Sequence, residues 1–178
     1  MEFDLYPSIA IRSGTFSMVI APVPVVTQAI NTCAALQRYL TLYSCGNYSR
    51  ILSGVHRTCS GFTIQRAFTA YQLITILREA YHTIVIVEHD GSLYENDRKM
   101  VYPVAMALRE AARTAAVVCY TPVQDGAARR IAEHADRVFV IGEPLAAPQR
   151  PAISPSQQYQ RYPQKTLDAF SGTGDGRR

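Results

Sequence analysis

The sequence predicts a doubly wound α/β domain, in which a mostly parallel sheet carries helices on both faces. Short apolar segments alternate about six times with segments whose apolar residues recur every three or four positions. Residues 83–87, Thr-Ile-Val-Ile-Val, form an unbroken β-branched run, which is typical of a central parallel strand buried on both faces. A hydrophobic content of 48% in 178 residues is enough for one core.

The first elements read as strand, turn and helix. Residues 16–21 are short and apolar and predict a buried strand. The run Pro-Val-Pro at 22–24 follows, and from Val26 the apolar spacing predicts an amphipathic helix to residue 40. Residues 41–45 predict a second strand, which ends at Gly46-Asn47, a pair suited to a turn with positive φ.

The remaining elements continue the alternation. An irregular or helical piece at 48–58 precedes them. Thr121-Pro122 ends the strand that begins at Ala116, and Asp125 is placed to cap the last helix. The predicted elements are a strand at 62–65, a helix at 69–80, the central strand at 83–87, a helix at 101–112, a strand at 116–120, a helix at 126–135 and a strand at 137–141.

A change of composition predicts the domain boundary. Residues 1–143 carry the periodic segments, whereas Pro, Gln, Ser and Gly dominate residues 144–178. Such a composition buries too little apolar surface to offset the entropy of ordering, so the second region is predicted to be a disordered tail.

Charge and cysteine content exclude several classes of protein. No Asp or Glu occurs between Leu5 and Arg78, so this region is purely basic and could attract phosphate or an acidic partner, although a core-rich segment with a few surface arginines explains it more simply. The four cysteines do not have zinc-site spacing and predict reduced thiols. The acidic start, Met-Glu-Phe-Asp, and the short, proline-broken apolar stretches predict a cytoplasmic protein without a membrane partner.

Several short sequence segments, within roughly residues 12–143, resemble segments of the ATPase core of RecA/RadA recombinases. Residues 14–20 are similar to the strand that leads into the phosphate loop, and residues 42–47 to the second core strand of small archaeal members. Residues 66–73 resemble the segment before the Walker B strand, and residues 84–88 resemble Walker B, with Glu88 as its carboxylate. The resemblance implies a P-loop NTPase architecture.

The phosphate loop itself departs from that family. It requires G-x-x-x-x-G-K-[ST], because glycines let backbone N–H groups surround the phosphates and Lys supplies charge. The corresponding residues 21–28 are Ala-Pro-Val-Pro-Val-Val-Thr-Gln, without Gly or Lys. The catalytic carboxylate of the family would fall near Gly46-Asn47, where no acid stands. We therefore expect a degenerate paralogue without Walker A, and no catalytic residue.

Glu88-His89-Asp90 is the best site candidate in the sequence. It lies at the carboxyl end of the predicted central strand, where open α/β sheets bind ligands. Glu88 and Asp90 are the predicted metal and cofactor ligands, for which Mg²⁺ is the ion considered, although no cofactor is required. The alternative is a structural turn, with Glu88 paired to an arginine and His89 solvated. Gln124 resembles in position a family residue that senses nucleotide.

Four arginines are candidates for nucleic-acid contact. They are Arg50, Arg57, Arg129 and Arg130. Tyr43, Tyr48 and His56 could supply stacking surfaces near the first pair, as single-strand binding requires, although an ordinary loop with tyrosine packed on the core edge explains them more simply. The prediction is an inactive RecA-like domain that acts as an interaction or regulatory protein, with a related recombinase-type protein, a second copy or nucleic acid as partner. The alternative is a non-hydrolysing nucleotide or divalent-metal binder.

Overall fold

Six parallel strands form the central sheet of the computed structural model, which describes residues 1–7, 9–56 and 61–142. The order across the sheet is β5-β4-β6-β7-β3-β8, so β6 and β7 are interior strands. Every pairing in this sheet is parallel. The strands are β3 (Phe16–Ile20), β4 (Thr41–Cys45), β5 (Phe62–Arg66), β6 (Ile84–Glu88), β7 (Ala116–Thr121) and β8 (Arg137–Val140).

Helices cover both faces of this sheet. The helices are α1 (Val23–Thr32), α2 (Ala34–Arg38), α3 (Ala70–Glu79), α4 (Val101–Ala112) and α5 (Gly126–Ala132). One apolar cluster joins α1 and α2 to what we call the α1 face of the sheet. A second cluster joins α3, α4 and α5 to the opposite face, the α4 face. The predicted fold class is therefore confirmed, and the arrangement is consistent with a P-loop NTPase-like fold.

A small antiparallel hairpin at the start of the chain was not predicted. Its strands are β1 (Glu2–Tyr6) and β2 (Ile9–Arg12). Ile9 and Ile11 point into the core of the α1 face, where both are buried. Four or five residues with only partial alternation give little signal in sequence, so the hairpin depends on this tertiary packing.

The first helix differs from the prediction in both its start and its end. Helix α1 begins at Val23 rather than Val26, with Pro24 in its first turn, where the missing N–H would have no partner in any case. The helix stops at Thr32, and Cys33 takes an extended conformation before α2. The polar loop after β6 contains two short 3₁₀ turns, Gly91–Tyr94 and Arg98–Met100.

Gly46 is another correction. Positive φ occurs, among the described glycines, at Gly14 and Gly142 and not at Gly46. Gly46 is required for a different reason, because a Cβ there would lie 2.0 Å from Oδ2 of Asp90. The predicted tail, residues 144–178, lies outside the described residues.

Candidate functional site

The connection between β3 and α1 stands where a phosphate loop would stand. It consists of Ala21 and Pro22, and the helix begins at the next residue. Pro22 and Pro24 have no backbone N–H, and Pro22 provides no side-chain cap. A phosphate loop uses several backbone N–H groups on a long glycine-containing turn. This connection is therefore too short and too poor in donors to surround a triphosphate.

The Glu88 carboxylate at the end of β6 is buried and accepts three hydrogen bonds. Glu88 is only 4% exposed to solvent. Its Oε2 accepts from the hydroxyl of Tyr43 at 2.6 Å and from the hydroxyl of Ser49 at 2.5 Å. Its Oε1 accepts from the backbone N–H of Arg50 at 2.7 Å. The carboxylate thus holds the residues that follow β4, and its partner in Arg50 is the backbone rather than the guanidinium that the sequence suggested.

Residues 46–56, which we call the covering segment, lie over Glu88 on the α1 face. The Ser49 hydroxyl also accepts from the N–H of Leu52 at 3.0 Å, which closes a turn. Ile51, Leu52 and Val55 are buried in the apolar cluster of this face. The covering segment is therefore part of the core packing and not a loose loop.

Helix α1 fixes the other side of the covering segment. Asn31 donates from Nδ2 to the carbonyl of Gly54 at 2.9 Å and accepts from the N–H of His56 at 2.8 Å. A Cβ on Gly54 would lie 2.8 Å from Cγ2 of Thr27, so the close approach requires glycine. The segment thus spans from the carboxyl end of β6 to α1.

Tyr43 belongs to the same buried network. It is fully buried, so it cannot stack on a nucleic-acid base as the sequence suggested. Burial and the negative charge of Glu88 raise the pKa of the Tyr43 hydroxyl far above its ordinary value. Tyr43 therefore remains a neutral donor to the carboxylate at every physiological pH.

Asp90, the second predicted metal ligand, lies nearby but has a different role. Its Oδ1 accepts from the N–H of Ser92 at 2.9 Å and caps the first 3₁₀ turn. Its Oδ2 lies against the Cα of Gly46. Within residues 1–7, 9–56 and 61–142, no three His, Cys, Asp or Glu side chains are grouped closely enough to hold a metal ion. The Mg²⁺ site stays a prediction that this geometry does not test.

His89 is buried rather than solvated, contrary to the expectation for a histidine in a polar loop. Its side chain is 3% exposed, and its ring stacks on Tyr94 with centroids 5.8 Å apart. Its Nε2 lies 3.1 Å from both carboxylate oxygens of Asp125. A histidine and an aspartate separated by 36 residues are thus paired at the carboxyl edge of the sheet.

Asp125 connects this pair to α5. It caps the helix as predicted, since its Oδ1 accepts from the N–H of Ala128 at 2.7 Å. Burial alone would raise the pKa of Asp125, but the hydrogen bond and charge of His89 and the backbone N–H groups outweigh burial and lower it. Gly91 permits the approach, because a Cβ there would lie 2.6 Å from Oδ2 of Asp125.

A cavity of about 330 Å³ opens beside this pair on the α4 face. It lies between the loop after β6 and the start of α5, at the carboxyl edge of the sheet. Arg98 and Arg130 line it from the two sides, together with Glu95, Tyr94 and Asp125. A second hollow of about 460 Å³ shares both arginines and adds Lys99, Tyr102 and His134. Arg98 and Arg130 thus stand at the junction of two concave surfaces.

The structure does not bring the predicted nucleic-acid residues together. Arg129 and Arg130 are exposed on α5, on the α4 face, whereas Arg50 is exposed in the covering segment on the α1 face. Arg57 lies outside the described residues. Gln124 is half-buried between β7 and α5 and does not line the cavity beside it.

Sequence reasoning missed three contributors to this edge of the sheet. Ser49 and Asn31, which fix the covering segment, carry no motif. Asp125 was identified as a helix cap, but its bond to His89 joins two separate crossovers and has no signature in sequence spacing. Two glycines placed after strand ends, Gly46 and Gly91, are the signal that could have indicated close packing there.

Comparison with known proteins gives one clear relative. No protein-family model matches the chain. The chain is 34% identical over 129 residues to an uncharacterised protein of Archaeoglobus fulgidus, an alignment that covers 72% of this chain. The chain spans 65% of that relative's length.

Among solved structures, PCH-2 of C. elegans is similar at 12% identity and a TM-score of 0.39, over 74% of this chain and 36% of that one. So low a likeness supports no conclusion about family or activity. Among the described residues, no helix has the length and apolar character needed to cross a membrane.

Proposed function

We propose that this chain is a non-hydrolysing, RecA-like domain that acts through interaction with a partner, as an adaptor or regulatory protein. The main observation in support of the proposal is that the covering segment packs over Glu88. In the RecA/RadA resemblance Glu88 is the Walker B carboxylate, which would serve the metal. Here its oxygens accept from Tyr43, Ser49 and the Arg50 N–H.

The two-residue connection before α1 supports the same proposal from the opposite side. Phosphate binding by a loop depends on free backbone N–H groups and a positive side chain. Ala21 and the two prolines that follow supply neither. Both halves of an ATPase centre would thus have been replaced by packing contacts within one core.

The proposal is tested by titrating the full chain with Mg·ATP in a calorimeter and by measuring phosphate release. We expect no saturable heat at millimolar nucleotide and no phosphate release above buffer. Saturable binding would support the rival function, a non-hydrolysing nucleotide or metal binder.

A matched pair of variants separates this rival from non-specific effects. Asp90 and Asp97 each cap a short 3₁₀ turn through one carboxylate oxygen. If Mg²⁺ binds at Asp90, a Mg²⁺-dependent rise in thermal stability is lost in Asp90→Asn and kept in Asp97→Asn. If Mg²⁺ changes the thermal stability of the two variants by the same amount, a metal site at Asp90 is excluded.

Single-stranded nucleic acid is the partner we favour, at the carboxyl end of the β4–β5 edge. Tyr48 is 85% exposed and Phe68 is 59% exposed. Arg50 is exposed between them in sequence, and Arg66 donates from Nη1 to the carbonyl of Asn47, beside Tyr48. Exposed rings that stack on bases, together with arginines that contact phosphates, are the usual elements of single-strand binding. Asp90, against Gly46, is a negative charge close to this edge.

Fluorescence anisotropy with a labelled oligonucleotide tests this partner. Tyr48→Ala and Phe68→Ala should each weaken binding by about fivefold or more, since one stacked base contributes roughly 1–3 kcal/mol. Tyr102→Ala is the control, because Tyr102 is 61% exposed but lies on α4, on the opposite face. Equal losses in all three variants, or no binding at low salt, would refute a nucleic-acid surface at this edge and leave a protein partner or a second copy.

A further inference from the structure

The cavity beside Asp125 is separate from the covering segment. It opens on the α4 face, whereas the covering segment packs on the α1 face. Its volume of about 330 Å³ lies at the lower end of the range for small-molecule sites. A ligand here would not depend on the proposed function, because none of the lining residues belongs to the covering segment.

Two arginines are the cations in the lining of the cavity, which also contains the carboxylates of Glu95 and Asp125. Arg98 and Arg130 line it and are not in a salt bridge within the part of the chain that the structure describes. The planar guanidinium matches phosphate oxygens with paired donors, which a lysine cannot do. Lys99 lines the adjoining hollow that shares both arginines. An anionic group at the junction would have these three cations in its surroundings, together with the carboxylates of Glu95, Asp125 and Glu133.

Asp125 supplies a carboxylate acceptor in the lining of the cavity. Its carboxylate is fixed by His89 and by the N–H of Ala128, yet its side chain is 36% exposed. A fixed carboxylate that is partly open to a cavity accepts hydrogen bonds from hydroxyl groups of a ligand. Tyr94, Val101 and Ala127 add the less polar part of the lining.

The remaining charges determine the size of the ligand. Glu95 lines the cavity and Glu133 lines the adjoining hollow, so the surroundings are not uniformly positive. A long polyanion such as a nucleic-acid strand would pass both glutamates, which costs repulsion. A compact molecule with one phosphate can place that phosphate on the arginines and turn its uncharged hydroxyl groups toward the carboxylates of Glu95 and Asp125.

We propose that this cavity binds a small phosphorylated polyol, such as a sugar phosphate, with its phosphate on Arg98 and Arg130 and its hydroxyl groups on Asp125. The cavity geometry supports this inference, since it places a fixed carboxylate and two guanidinium groups, which form no salt bridge among the described residues, around one space of metabolite size.

Calorimetry with ribose 5-phosphate as the probe tests the site in the full chain. We expect saturable binding that falls about tenfold or more in Arg98→Gln and in Arg130→Gln, because each removes charge-assisted hydrogen bonds to phosphate. Arg109→Gln is the matched control, since Arg109 also lies exposed on the α4 face but outside this cavity. It should bind as the unmodified protein does.

Two further measurements test the separate roles of the phosphate and of the hydroxyl groups in binding. Asp125→Asn keeps a helix-capping oxygen and should lower affinity for ribose 5-phosphate but not for inorganic phosphate. Ribose without phosphate should not bind. Absence of saturable binding at millimolar ribose 5-phosphate, an equal loss in Arg109→Gln, or inorganic phosphate binding as tightly as the sugar phosphate would each overturn the proposal. Circular dichroism and thermal unfolding of every variant exclude loss of fold as the cause.

Discussion

Replacing Glu88 by Gln removes the charge around which the covering segment is arranged. The side chain keeps its size, but one oxygen that accepts hydrogen bonds becomes an NH₂ group that can only donate them. Tyr43 and Ser49 donate to Oε2, and the Arg50 N–H donates to Oε1, so either orientation of the amide leaves at least one buried donor without an acceptor.

The magnitude follows from these contacts. A buried donor without a partner costs about 1–3 kcal/mol. The bonds that remain lose the charge that makes them roughly twice as strong as neutral ones. We therefore expect Glu88→Gln to lower the free energy of unfolding by about 2–5 kcal/mol, with Tm falling roughly 2–4 °C for each kcal/mol.

Urea unfolding in metal-free buffer is the assay, and Glu79→Gln on the exposed end of α3 is the control. The control should stay within about 0.5 kcal/mol of the unmodified protein. Tyr43→Phe should lose part of the same stability, because it removes one donor to the carboxylate. A Glu88→Gln variant that unfolds like the control would refute the structural role of the carboxylate.

Three further predictions concern other contacts near the carboxyl edge. In thermal unfolding, Gly91→Ala should lower the free energy of unfolding by about 1–3 kcal/mol, because the new Cβ would lie 2.6 Å from Oδ2 of Asp125. Gly126→Ala should be neutral or stabilising, because a Cβ there would have no atom of another residue within 4 Å. Because folding lowers the pKa of Asp125 below its ordinary value of 3.8, the contribution of Asp125 to stability is complete above pH 3.8 and is lost as pH falls through the lower, folded-state pKa. The free energy of unfolding should therefore fall over this acidic range in the unmodified protein, and it should depend less on pH in Asp125→Asn, which lacks the contribution at every pH. Thr69→Ala should cost about 1 kcal/mol in urea unfolding, because Thr69 accepts from the N–H of Gln72 at the start of α3; equal stability would contradict that cap.

Much of the fold could be predicted because its signals are local. The β-branched run in β6 predicted an interior strand, and apolar spacing predicted α3 and α4, since burial on one or two faces determines residue type along each element. The start of α1 was misjudged because Pro24 was read as part of a turn. In the structure it occupies the first helical turn, where proline is well tolerated.

The site could be predicted only in part, because its contacts are long-range. Glu88 was placed correctly at the end of β6, but its partners Ser49 and Arg50 come from a segment without periodicity. His89 was expected in solvent because the residues around it are polar. Its burial depends on Asp125 and Tyr94, which only the packing of two crossovers brings to it.

The most direct test of the central claim is amide hydrogen exchange at Arg50. Its N–H donates to a buried carboxylate at 2.7 Å, so it should exchange slowly in the free protein, and excess Mg·ATP should leave its rate unchanged. Rapid exchange of this amide in the free protein, or a change in its rate when Mg·ATP is added, would contradict the account, because the covering segment would then leave Glu88 free to meet a nucleotide.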